Sequence, residues 1–492
     1  MFQFDQKELQ KDVNHEESQT SEAEVSTSIA SESQHSPAAD CALVGSSSQT
    51  TRVVKKKSRG LACAPSQGIA RRSHCPILEG ADRDSVRLAA SLALDELGDP
   101  EEPILLVDLS RVSQKLAQWR RHLPRVIPHY SVKCNPDKHL LRRLQEGGCG
   151  FDCTSMEEIH RVLSIGAAPE DVVFSHPVKL RSHLRFAKTK NVPLMSFDNE
   201  AELRKIAAEF PAAKLLLHLA AEDASEQSSM SLKFGARRRD WASLLSVARD
   251  LGLNVVGASC HVGSRCEERG SLEKMLSDAA DVFTLASERG FTMSMLDIGS
   301  SFPSDVLDSS AFEEFGTKLS EQLERRFPRG DFPSLRIIAR PGRLFARSCA
   351  NLLTKVLAKA EAKQSSDSRN DDCTEKNELT FWYHLNDGLY GSFNCVFYDQ
   401  AVVTPELLLT ATLERSDRLN RPCSIFGPTC EAFDVVMKEH VMPELQEGDW
   451  LLWRNMGAYT SASGSKVSGF PQPKVWYYDG AGLMANWNIS ER

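Results

Sequence analysis

The chain has 492 residues, 26% of them charged and 41% hydrophobic, with a formal net charge of −8. That composition excludes a collagen-like or wholly disordered polymer, and no apolar run approaches the roughly 18–20 residues of a membrane-spanning helix. The mild acidity supplies no general electrostatic footprint for nucleic acid or an anionic membrane surface.

The first 72 residues are rich in Ser, Thr, Glu and Gln and poor in aromatics. Such a stretch buries too little apolar surface to offset the entropy of ordering it, so 1–72 is expected to be a disordered tail. Its basic cluster, Arg52 to Arg59 (RVVKKKSR), reads as solvated charge. The opening Met1-Phe2-Gln3-Phe4-Asp5-Gln6-Lys7-Glu8 has neither the basic nor the apolar region of a secretory signal. A cytoplasmic location with the 13 cysteines reduced is therefore expected. Cys149 and Cys153, with Cys134 upstream, lack a second ligand pair at zinc spacing and read as free thiols.

Residues 73–108 contain an apolar strand, Ile104–Val107, that either of two units can take up; the segment is assigned to the second. From 109 to 349 short apolar runs alternate with amphipathic helical patterns. Strands are predicted at His129–Lys133, Gly150–Cys153, Val172–Ser175, Pro193–Phe197, Lys214–Leu219, Asn254–Cys260, Ser294–Ile298 and Arg336–Ala339. Helices fall between them at Glu157–Ile165, Glu200–Glu209, Asp240–Leu251 and Leu272–Arg289. This alternation implies βαβ units and a parallel sheet, and the number of units fits a (β/α)8 TIM-like barrel. The rival, an open doubly wound sheet, would carry a GxGxxG turn after its first strand, and none is present. Residues 350–492 read as a mainly antiparallel β domain with a polar loop near 361–378. Its strands are predicted at Phe381–Leu385, Cys395–Tyr398, Asp449–Trp453 and Lys474–Tyr478.

In such a barrel the chemistry sits at the C-terminal ends of the strands. The first predicted barrel strand runs into Lys133, an amine that desolvation can activate. The sixth ends in Cys260-His261-Val262-Gly263-Ser264, with an imidazole suited to ring stacking or proton transfer. The seventh ends in Ile298-Gly299-Ser300-Ser301, small residues that let backbone N–H groups approach a phosphate. The eighth ends in Arg340-Pro341-Gly342-Arg343, two guanidinium groups suited to an anion. Outside the barrel pattern, Asp399, Cys430-Glu431 and Tyr459 offer carboxylates, a thiol and a phenol. Taken singly, each of these reads as ordinary surface or turn chemistry.

Taken together, they resemble the ornithine decarboxylase family, whose non-catalytic relatives are the antizyme inhibitors. The motifs His129-Tyr130-Ser131-Val132-Lys133-Cys134-Asn135, Phe151-Asp152-Cys153, Lys233-Phe234-Gly235, Tyr390-Gly391-Ser392-Phe393-Asn394-Cys395 and Gly427-Pro428-Thr429-Cys430 stand in the family order, and the resemblance runs from about Cys75 to Trp476. It implies a fold-type III pyridoxal 5'-phosphate decarboxylase: a barrel, a β domain, and a head-to-tail homodimer with shared active sites. By that resemblance Lys133 holds the cofactor covalently, His261 stacks on its ring and Asp152 lies near the lysine. Ser264, Gly299 with Ser300 and Ser301, Arg343 and Tyr459 surround the phosphate. Asp399, Cys430 and Glu431 come from the partner subunit. Asp399 and Glu431 face the distal amine of an amino-acid substrate, and Cys430 directs protonation after CO2 leaves.

Several residues depart from the family pattern. Arg340 stands where the family has a Glu that pairs with the protonated pyridine nitrogen; a guanidinium cannot accept that proton and favours a neutral ring. Ser300 and Ser301 replace glycines, at a cost of about 1–2 kcal/mol wherever φ must be positive. His218 stands where active decarboxylases carry Arg, Val467 replaces a pocket Phe, and Glu431 replaces an Asp. Lys179 and Lys205 fall in the region resembling the antizyme-binding surface. The chain stops soon after Trp487, without the long degradation tail of vertebrate ornithine decarboxylases, so antizyme binding is not expected to lead to rapid proteolysis. The reading is a pyridoxal-phosphate-dependent L-amino-acid decarboxylase, acting on ornithine or on another amino acid given the altered pocket. The alternative is an inactive antizyme-inhibitor-like paralog that regulates ornithine decarboxylase.

Overall fold

The structure, a computed structural model, describes residues 82–98, 100–220, 233–260, 271–300, 302–303, 309–362, 380–408 and 418–479. The tail expected over 1–72 and most of the loop expected over 361–378 lie outside these residues.

After the helix Asp82–Leu97 comes strand β1 (Ile104–Asp108). Eight parallel strands then close a barrel: β2 (Val126–Ser131), β3 (Gly150–Cys153), β4 (Val172–Phe174), β5 (Leu194–Phe197), β6 (Lys214–His218), β7 (Asn254–Ser259), β8 (Met295–Asp297) and β9 (Arg336–Ala339). Closure is made by β2 against β9, with Val126 opposite Ile337. Seven of the eight strands lie within a residue of the apolar runs that placed them; β2 starts three residues before the predicted His129 and ends at Ser131, because Val132–Cys134 winds into a 3-10 turn. The helices between them begin at side-chain caps. Asp137 caps Lys138–Glu146, Ser155 caps Met156–Ser164 and Asn199 caps Glu200–Glu209, each accepting from a backbone N–H of the first turn. The helix Lys138–Glu146 buries Leu140, Leu141 and Leu144, one stripe of a 3.6-residue period.

Side chains alternate along a strand, and that alternation builds the barrel interior in two layers. The lower layer is apolar: Ile127, Val173, Leu194, Leu216, Val256, Met295 and Ile338 cluster together, one from every barrel strand except β3. Two residues further along, on the same face, stand Ser175, Ser196, His218, Asp297 and Arg340. A polar layer therefore lies on top of an apolar plug, at the C-terminal mouth. Gly257 of β7 pairs with Met295 of β8 so closely that an added Cβ would stand 2.0 Å from the Met295 carbonyl oxygen. Gly257→Ala is expected to separate these strands and destabilise the barrel by about 1–3 kcal/mol, measured by denaturant unfolding.

The second sheet contains β1 together with β10 (Ala350–Glu361), β11 (Phe381–Leu385), β12 (Pro405–Leu408), β13 (Asn420–Phe426), β14 (Val435–Pro443), β15 (Trp450–Trp453) and β16 (Lys474–Tyr478). The long β10 pairs through its first half with β1 and β15 and through its second half with β11. The β1–β16 and β11–β13 pairs are parallel and the others antiparallel. The strand at Ile104–Asp108, open between two units in the sequence, is thus taken up by this sheet. One prediction is corrected: Cys395–Tyr398 is no strand but part of a short helix, Asn394–Tyr398. The Asn394 amide donates to the Gly391 carbonyl at 2.6 Å and the Thr460 carbonyl at 2.7 Å, and the Asp399 N–H closes a turn on Cys395. These bonds wind a segment whose apolar content alone resembles a strand.

Candidate active site

A cavity of about 330 Å³ opens above the polar layer. Lys133 reaches it from the end of β2. There the chain turns into a single 3-10 turn, Val132–Cys134, burying Val132 and Cys134 and leaving the Lys133 side chain to the cavity. The turn is tied to the β domain. Asn135 Nδ2 donates to the Gly457 carbonyl at 2.9 Å, and the Tyr459 N–H donates to the Cys134 carbonyl at 2.9 Å. Those bonds hold Tyr459 at φ 53°, a left-handed conformation that a side chain rarely adopts. Burial pushes the neighbouring Cys134 thiol up to about 12, so it stays protonated.

Asp152 ends β3 on the cavity wall and is 2% exposed. Ser131 Oγ donates to its Oδ2 at 2.7 Å, while Oδ1 is buried and has no hydrogen-bond partner among the described residues. An orphaned carboxylate oxygen facing a cavity that also holds an amine fits a cationic nitrogen arriving with a ligand.

The floor is an ion pair. Arg340 Nε lies 2.9 Å from Asp297 Oδ2, and both side chains are buried. Ser259 Oγ donates to Asp297 Oδ2 at 2.7 Å and accepts from Arg340 Nη2 at 3.4 Å. His218 Nδ1 lies 3.3 Å from the same hydroxyl. Desolvation opposes the Arg340 charge, but Asp297 and Asp152 outweigh it, so the guanidinium is held ionised. His218 is pushed down to about 4 by burial and then by Arg340, and is neutral.

The mouth carries a second cation. Arg343 stacks over the Tyr459 ring at 4.5 Å and pairs with Asp399 at 2.9 Å. Asp399, which the resemblance assigns to the partner subunit's site, follows the short helix ending at Tyr398 and pairs with Arg343 of its own chain. Just after β8, Gly299 takes φ 73°, and its N–H donates to Asp297 Oδ1 at 2.9 Å. Ser300 lines the cavity without a positive φ, so the strain foreseen there does not arise. His261, Ser264 and Ser301 lie outside the described residues. Cys430 and Glu431 are exposed and do not line this cavity, nor does Val467.

Sequence reasoning missed several wall residues. Asp297 and Ser259 lie in the floor below that wall: they end β8 and β7, and Arg340 follows β9, neighbouring strands that are far apart in sequence. His176 and Phe234 meet edge-to-face at 5.6 Å on the cavity wall. Phe234 belongs to the Lys233-Phe234-Gly235 motif, to which no role was attached. Lys179 is also corrected. Its side chain is 0% exposed, 3.1 Å from Glu202, which also pairs with Lys205. Its amine donates to the Ser196 carbonyl at 2.6 Å and the His176 carbonyl at 3.0 Å. It braces the loop that presents His176, with its amine turned into the fold rather than to the surface.

A second buried imidazole, His129, is 1% exposed and pushed down from 6.5 to about 4, chiefly by desolvation. The unfolded chain therefore takes up this proton near pH 6.5 while the folded chain resists until about pH 4. Stability tied to His129 is full above pH 6.5 and lost as the pH falls towards 4. Relative to His129→Gln, the wild type is expected to lose up to roughly 3 kcal/mol more across that interval, read from denaturant unfolding at pH 7 and pH 4.5.

The model of the pyridoxal-binding domain of pyridoxal-dependent decarboxylases matches residues 109–347. The chain is 38% identical to ornithine decarboxylase of Mus musculus over 379 residues, covering 77% of this chain and 81% of the relative. It is 38% identical to antizyme inhibitor 2 of Xenopus laevis over 382 residues, with the same coverage. Among solved structures, arginine decarboxylase of Paramecium bursaria Chlorella virus superposes with a TM-score of 0.72 at 29% identity, covering 80% of this chain and 100% of that one. Lysine/ornithine decarboxylase of Vibrio vulnificus, complexed with putrescine, gives 0.68 at 25% identity, covering 80% and 98%.

Proposed function

Because this chain belongs to the pyridoxal-dependent decarboxylase family that includes ornithine decarboxylases and antizyme inhibitors, we propose that it decarboxylates an L-amino acid at the mouth of its barrel. The observation that carries the reading is the convergence on one cavity of the Lys133 amine, the orphaned Asp152 Oδ1 and the Arg343 guanidinium. That set fits pyridoxal 5'-phosphate: Lys133 would hold its aldehyde carbon, Arg343 and the Ser300 backbone would hold its phosphate, and Asp152 would face the cationic nitrogen at the lysine. When bound, the cofactor supplies a ring that accepts the electron pair left as CO2 departs.

The side chains supply the rest. Ser131 donates to Asp152 Oδ2 and so leaves Oδ1 free to accept from the Lys133 ammonium. The Arg340–Asp297 pair sets the floor's charge near zero, and the guanidinium donates a hydrogen bond there without taking up a proton. With Arg340 in place of a carboxylate, the cofactor's electron withdrawal would be weaker and CO2 loss slower. The reaction consumes one proton per CO2 released, delivered to the α-carbon by the Lys133 ammonium or by Cys430 of the partner subunit. That assignment makes the active form a homodimer with shared sites, and Glu431 of the partner subunit then faces the substrate's distal end.

Ornithine is the substrate proposed first, on the likeness to ornithine decarboxylases. A second, an aliphatic amino acid with no distal charge, is favoured by the Asp399–Arg343 ion pair, which neutralises one of the two acids a distal ammonium would use. The experiment is CO2 release from carboxyl-labelled L-ornithine, L-lysine, L-arginine, L-leucine and L-valine by cofactor-loaded protein. Release from none of them counts against the enzyme. The inactive reading then stands, favoured by Arg340, with relief of antizyme inhibition of an active ornithine decarboxylase as its assay.

A further inference from the structure

The loops that present Cys430 and back Tyr459 are joined by one carboxylate, that of Asp434, which is 2% exposed. Its Oδ1 accepts from the Leu389 N–H at 2.7 Å. Its Oδ2 accepts from the Thr429 N–H at 3.1 Å and from Thr429 Oγ at 2.6 Å. Its backbone closes the Gly427–Asp434 loop, since the Gly427 N–H donates to the Asp434 carbonyl at 2.9 Å and the Asp434 N–H donates to the Glu431 carbonyl at 3.0 Å. Cys430 and Glu431 form the exposed tip of that loop. Two glycines make room for the clamp: a Cβ on Gly388 or on Gly427 would stand 2.2 Å from Asp434 Oδ1.

Leu389 belongs to a second loop, 387–394. Asp387 Oδ1 fastens it by accepting from the Gly388 N–H at 2.8 Å and the Ser392 N–H at 2.9 Å. The Asn394 amide leads on from it to the Thr460 carbonyl, beside the Tyr459 that lines this chain's own cavity. A buried carboxylate that collects three donors from two loops fixes both, because releasing either leaves charge uncompensated.

We propose that Asp434 is a positioning residue that sets the pose of Cys430 through Thr429 and, through Leu389 and Asn394, makes that pose one rigid piece with the Tyr459 turn. The inference rests on the reading that Cys430 serves the reaction in the partner's site. Its consequence is that a change at one chain's cavity mouth is carried to the thiol that the same chain offers to the other.

The test uses full-length protein and two readouts. The first is the alkylation rate of Cys430 by iodoacetamide, followed on its own peptide by mass spectrometry, and it needs no turnover. The second is the split between kcat and KM with the best substrate of the panel. Thr429→Val removes the hydroxyl but keeps volume and backbone bond, Thr429→Ser keeps the hydroxyl, and Asp434→Asn removes the charge. Thr429→Val and Asp434→Asn are expected to speed alkylation about tenfold and lower kcat about tenfold, with KM moving less than about threefold. Thr429→Ser is expected to restore both. A merely structural Asp434 would lower the melting temperature and leave alkylation and kcat unchanged in folded Thr429→Val; either unchanged value overturns the proposal. If Asp434→Asn does not fold, the Thr429 pair decides. If the wild type releases no CO2, the functional reading fails, while alkylation alone still upholds or overturns the positioning.

Discussion

Lys133→Ala is expected to remove the visible absorbance of cofactor-loaded protein and to lower CO2 release by at least about a thousandfold. The amine stands at the centre of a 3-10 turn whose flanking Val132 and Cys134 carry the packing. Truncating Lys133 therefore takes away the reacting group and leaves the turn in place. The melting temperature of the cofactor-free protein should stay near that of the wild type. A variant that kept both absorbance and turnover would show that another amine holds the cofactor. Loss of fold would show that Lys133 is structural.

The second large effect concerns the floor. Arg340→Glu restores a proton acceptor for the cofactor ring, yet it sets the new carboxylate against Asp297, whose partner it removes. Breaking a buried pair costs about 3–5 kcal/mol, so the single variant is expected to unfold at markedly lower denaturant. Adding His218→Arg supplies a cation beside Ser259, within reach of Asp297, because His218 Nδ1 already lies 3.3 Å from that hydroxyl. The double variant should recover most of the lost stability and release CO2 faster than the wild type. If the single variant is as stable as the wild type, the Arg340–Asp297 pair does not hold the floor. If the double variant is stable but no faster, the ring-nitrogen argument is wrong for this chain.

These two predictions draw on different depths of the sequence. The barrel was legible almost strand by strand, because short apolar runs separated by amphipathic helices carry their periodicity locally. Lys133, Asp152, Arg343 and Tyr459 were legible because each stands in a motif with a resemblance behind it, and the structure brings all four to one site. Arg340 was visible as a departure, but its partner was not: Asp297 lies 43 residues away in sequence, and the parallel pairing of β8 with β9 sets the two side by side. Lys179 was placed by resemblance in a surface region, and nothing local announces that Glu202 compensates its charge inside the fold. The Asn394–Tyr398 helix was lost to composition, since Cys, Val, Phe and Tyr favour strands unless capping and tertiary hydrogen bonds decide otherwise.

The most direct test of the account is release of labelled CO2 from the amino-acid panel by purified, cofactor-loaded protein, with Lys133→Ala run alongside. The account predicts release from at least one amino acid, abolished in the variant. Cofactor binding at Lys133 with no release from any substrate would contradict it and leave a family member that keeps the site without the reaction.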